Sequence, residues 1–172
     1  WRKKPHNIEI QDELGNDKAV SLLGMPAEAD WKVRNPFSDK FLMGDFLGHE
    51  LFEKMGHYSL RRKYVEVFLD RGGGKLTYPG DYYGVLVLIE RIERGKDRVD
   101  IAELTASHTN EPAITGGYIF KKDKVSTGDL DFSTAGGGGF GGQGLKMHEP
   151  KPRDLPGGAN NSQVVWLRNY LN

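Results

Sequence analysis

The chain has 172 residues, 24 of them basic and 24 acidic, and no cysteine. That length is enough for one domain with a real hydrophobic core. The balanced charge argues against a bulk polyanion-binding protein, so no nucleic acid is expected as a partner. Without cysteine, disulfides and thiolate metal sites are excluded.

No apolar run approaches the roughly 20 residues of a bilayer span, and no signal-peptide pattern is visible. A basic lead-in, Arg2 to Lys4, precedes a strand, HNIEI, with Ile8 and Ile10 on one face. Gly15 to Asp17 is a turn, and Val20 to Leu23 a short apolar run closed by Gly24 and Pro26. Asp39 to Met55 reads as one long helix: Ser38 suits its N-cap, Gly56 its C-terminal glycine. Phe41, Leu42, Phe46, Leu47, Leu51, Phe52 and Met55 form one apolar face at helical spacing.

Tyr64 to Asp70 alternates as a strand, and Tyr83 to Ile89 is its return across a long glycine-rich connector. After Glu90 the apolar strand runs straight into charge, with Ile92 and Val99 in a short helix or turn. Gly116 to Lys124 reads as a further strand. From Ser126 to Gly158 periodicity fails, and the last element is a helix after Asn161 or Ser162. The predicted class is α+β: a mainly antiparallel sheet, one long helix packed on it and a frayed C-terminal third. Trp1 as first residue and an amphipathic helix running to Asn172 suggest a piece of a longer polypeptide.

Several motifs read as structure. The glycine run Gly136 to Gly144 lacks the Lys-Ser/Thr and strand–helix context of a phosphate loop and reads as a mobile surface loop. Asp131-Phe132-Ser133 matches a kinase metal motif over two residues only, which is coincidence. The five histidines show no metal spacing. Asn160-Asn161-Ser162 fits a glycosylation sequon, relevant only in a eukaryotic secretory setting. Lys3 and Lys4, ahead of a strand, can present an ammonium to a phosphate or form a solvated terminus. Glu50 and Glu53 on the long helix are a solvated face, or half of a lysine–glutamate pair that positions nucleotide phosphates.

Taken in order, the segments KKPHNIEI, DWKVRNPFSDKFLMGDFLGHELFEKMG, VEVFLD, YYGVLVLIERIERGKDRVDI, ITGGYIFKKDK and HEPKPRDLPGGANNSQVVWLRNYL are familiar. Their order and spacing resemble the CotH family, the spore-coat-protein-H-like atypical protein kinases. The resemblance runs from about Lys3 to Leu171. It implies a kinase-like fold with an incomplete second lobe, secreted or surface-associated as in a spore coat. It also implies ATP and Mg as cofactors and a protein Ser/Thr substrate.

By the same resemblance Lys4, or else Lys3, contacts phosphate, Glu50 is its helix partner, and Val87 to Glu90 lie near the adenine as a hinge. Residues 1–125 would be the nucleotide-binding lobe and hinge, 126–158 a flexible glycine-rich insertion, and 159–172 the start of the second lobe. Three departures stand out. Gly44-Asp45 replaces the family's Arg-Asn, the connector from Arg71 to Gly80 is long, and the Asn-x-Asp and Trp-Asp-x-Asp motifs that seat the metal do not occur. The resemblance therefore implies no kinase activity for this chain alone. Two further readings remain open: a non-catalytic binding or structural module, and one half of a split assembly completed by a second chain.

Overall fold

The computed structural model describes residues 3–36, 38–124, 126–135 and 144–172. Backbone contacts divide the chain between Ile92 and Glu93 into two units. The first is built on a four-stranded antiparallel sheet. Its strands are β1 (His6–Glu9), β2 (Asp30–Arg34), β3 (Arg62–Phe68) and β4 (Tyr82–Glu90), in the order β1-β2-β4-β3. The predicted pairing of β3 with β4 is present, Arg62 opposite Ile89 through to Phe68 opposite Tyr82, with an irregularity at Val67/Phe68.

β2 was not foreseen as a strand, although its pattern is simple. Trp31 and Val33 point into the core, while Lys32 and Arg34 point out. β2 pairs with β1 on one side and β4 on the other, so it is an interior strand. Trp31, Val33, Leu86, Leu88 and Met25 form the buried cluster, with Ile8, Val65 and Val67 against it. Each such side chain contributes about 1.5–3 kcal/mol on leaving water.

Helix α1 is shorter than its apolar spacing predicted, Gly44–Lys54 rather than Asp39 to Met55. Ser38 does not cap it. Leu42 has φ +58, a left-handed backbone that an α-helix cannot include. Asp39 holds the preceding turn, accepting from the Phe41 N–H at 3.1 Å and from the Gly44 N–H. The C-terminal glycine is as expected, with Gly56 at φ +86.

The face by which α1 meets the sheet also differs. None of its residues is buried: Leu47 and Leu51 remain 55% and 53% exposed, and Met55, which follows the helix, 69%. The helix is held instead through Phe46, stacked on Tyr64 of β3 at 4.1 Å, and through polar ties from Arg34, Ser59 and Arg62.

The second unit is better ordered than the failing periodicity suggested. Its sheet is β5 (Ile119–Lys122), β6 (Asp131–Phe132) and β7 (Leu145–Glu149), antiparallel in the order β5-β7-β6. Both β6 and β7 lie in the stretch 126–158 read as irregular, as does a short 3-10 turn at Pro152–Asp154, with another at its end, Gly158–Asn160. The segment after Glu90 forms a turn closed by a bridge between Arg94 and Val99. The glycine run at 136–143 lies outside the described residues.

Helix α2 (Ser162–Leu171) starts where the sequence placed it, the Asn161 side chain accepting from the Gln163 N–H at 2.9 Å. Phe132, Met147, Leu155, Val164 and Leu167 form this unit's core. The described part of the C-terminal third is therefore packed rather than frayed. Among the described residues no helix is long and apolar enough to cross a membrane.

Candidate functional site

The segment entering β1 is tied to its neighbours by backbone. Lys4 N–H donates to the Tyr83 hydroxyl at 2.5 Å, and Asn35 Nδ2 donates to the Lys3 carbonyl at 2.6 Å. The His6 ring meets Tyr83 edge-on at 5.5 Å. These contacts fix where the Lys3 side chain leaves the chain.

That side chain lies over Gly84 of β4. Gly84 has φ +113, a region that side-chain-bearing residues rarely enter. A Cβ there would sit 2.7 Å from Lys3 Cε and overlap its Nζ. The glycine is thus the floor that admits the lysine. Around it opens a cleft of about 450 Å³, lined by Lys3, Asn35, Asp39, Lys40, Tyr82 and Gly84 among others. Lys4 lines no part of it, since successive side chains of an extended segment point to opposite sides.

Glu50 stands apart from both lysines. Its carboxylate is 3.5 Å from Lys54 one turn on and 3.9 Å from Arg62 of β3. Arg62 is one of the residues that join α1 to the sheet. Its side chain is only 6% exposed, and it donates to the carbonyls of Phe46 (2.8 Å) and Leu60 (3.0 Å). Its guanidinium also sits 5.2 Å from the centre of the Phe46 ring, with Glu53 at 3.9 Å. The fork of donors on arginine suits this bridging better than a lysine would. Close to it His49 bonds Ser59 at 2.7 Å, and burial followed by the nearby Arg62 charge lowers its pKa below 6.5.

Val87 and Glu90 both lie on β4 and are almost completely buried. Val87 pairs with Arg34 of β2 and Tyr64 of β3. The Glu90 carboxylate accepts from the Arg61 backbone N–H at 2.9 Å and from Arg61 Nη1 at 2.8 Å. Its side chain is therefore committed to fixing the start of β3.

Sequence reasoning passed over Arg62, Lys40 and Gly84. Arg62 was hidden in the run Arg61-Arg62-Lys63, where no local signal separates an inward guanidinium from a solvated one. Gly84 carried a signal, a lone glycine in an apolar strand marking close approach of another group.

A family model described as CotH kinase protein matches residues 1–154. The chain belongs to the CotH kinase family. Neither a curated protein nor a solved structure gave a match. The α+β arrangement of two antiparallel sheets and two helices is consistent with a partial kinase-like fold. CotH membership implies use of a nucleotide and a metal in general. The cleft fits the first: two cationic side chains, an amide and an open floor suit a phosphate group. The second finds no such fit. Among the described residues no three His, Asp or Glu side chains converge as a metal site.

Proposed function

We propose that this CotH domain binds ATP with its phosphates in the Lys3 cleft, as the nucleotide-binding part of a protein Ser/Thr kinase. The observation that carries the reading is the Lys3 ammonium laid over Gly84 at the edge of a cleft. Phosphoryl transfer depends on positioning and charge neutralisation, so a lysine fixed by its backbone is suited to the task. Lys3 takes the role rather than Lys4, and Glu50 is left to Arg62 and Lys54.

Val87 to Glu90, the hinge that the resemblance implies near the adenine, are buried between β2 and β3 and line no part of the cleft, and the Glu90 carboxylate is held by Arg61, so contacts to the adenine are left to other residues. On this reading residues 1–125 form the nucleotide-binding lobe and hinge. The metal carboxylates come from residues other than those described, or from a second chain. The substrate is a Ser- or Thr-bearing protein at a cell surface or spore coat, following the family's association.

Calorimetric titration of the protein with ATP tests this. Lys3→Ala is expected to weaken binding about tenfold, the size of one charge-assisted contact, with Lys4→Ala unchanged. Absence of ATP binding by the unaltered protein would refute the reading. A non-catalytic CotH module is favoured by one observation: the helix carboxylate Glu50 is engaged by Arg62 and Lys54. ATP binding without any phosphate transfer to protein in the presence of Mg would decide for it.

A further inference from the structure

We infer that Lys40 is a second phosphate-binding cation of the Lys3 cleft, so that the cleft distinguishes ligands by their number of phosphates. The inference takes the nucleotide as ligand from the reading above, but the charge of the cleft stands without it. Lys40 lies in the turn between β2 and α1 and lines the same cleft as Lys3.

That turn is held at several points. Asp39 accepts from Phe41 and Gly44 backbone N–H groups, and the Leu42 carbonyl accepts from the Tyr64 hydroxyl. The backbone at Lys40 is thereby fixed on both sides. Neither Lys3 nor Lys40 has an ion-pair partner among the described residues, whereas Arg34, Lys54 and Arg62 of the same unit each face a carboxylate.

Asp39 is the one carboxylate among the residues that line the cleft, and both its oxygens already accept backbone N–H groups. Two ammoniums against one engaged carboxylate leave the lining with an excess of one positive charge. A single phosphate satisfies one ammonium. A di- or triphosphate spans two, and lysine acts on it as a movable point charge.

The test titrates the protein with ATP, ADP, AMP and inorganic tripolyphosphate, without metal, at low and high salt. Lys40→Ala is expected to weaken ATP and tripolyphosphate about tenfold and AMP much less, with the difference shrinking as salt screens the contact. Lys40→Arg should restore most of the loss. Lys40 is exposed, so the unliganded melting temperature should not move. Equal loss for AMP and ATP, or no loss for either, overturns the inference. If tripolyphosphate binds in a Lys40-dependent way and ATP binds no better, the anion site stands and the nucleotide reading fails.

Discussion

Glu90 shows how a single buried carboxylate can be read in two ways from sequence. As the last residue of an apolar run it suggested a hinge; in the structure it is 1% exposed and locked to Arg61. Removing one partner of such a pair leaves a buried group unsatisfied. Glu90→Ala is expected to lower unfolding free energy by about 3 kcal/mol in a denaturant titration, discounted because Arg61 is half in water. Gly84 yields a second expectation. Alanine there must adopt a positive φ and displace Lys3, so Gly84→Ala should cost about 1–3 kcal/mol and also weaken the ATP binding proposed above. Which of Lys3 and Lys4 lies in the cleft was not legible in sequence, because it depends on which neighbour of an extended pair faces a glycine on another strand.

At the level of elements, α1 was legible as a helix and misread in its attachment. Its apolar stripe was taken as the buried face, yet the ties run through Phe46 and Arg62. Leu51→Gln is accordingly expected to change stability by less than about 0.5 kcal/mol. Arg62→Met should instead loosen the helix, seen as faster amide exchange over Gly44–Lys54. The β3–β4 hairpin was legible because its alternation is strong; β7 was not, because a fully buried Lys146 breaks the apolar pattern.

That lysine is matched by Asp129 at 2.9 Å. Hydrogen bonds from Lys146 and then from the Ser126 N–H hold the Asp129 pKa below its ordinary 3.8. A carboxylate with a lowered pKa stabilises the fold fully above its unfolded value and loses that contribution as pH falls through the folded one. The second unit should therefore lose stability as pH drops below about 3.8. Asp129→Asn should flatten that acid-side slope in a melting series.

For the whole molecule, the notable point is that each unit has its own core, one around Trp31 and Leu86 and the other around Met147 and Val164. The α+β class and the family were readable from order and spacing. The division at Ile92/Glu93 was not, since the second sheet is built from short strands. Truncation of a core side chain, Leu86→Ala or Val164→Ala, should lower amide protection first in the unit that carries it, at a cost of about 2–4 kcal/mol.

The placement of the indoles makes this measurable by light. Trp31 is enclosed in the first core, its Nε1 donating to the Glu28 carbonyl at 2.9 Å. Trp166 is sandwiched in the second unit between Tyr118 at 5.6 Å and Tyr170 at 5.3 Å. One emitter sits in a dry apolar setting and the other between two phenol rings, so their spectra and quenching should differ. With Trp1 and Trp166 both replaced by phenylalanine, emission would follow the first unit alone, turning unfolding of that half and titration of the proposed ligand into one optical experiment.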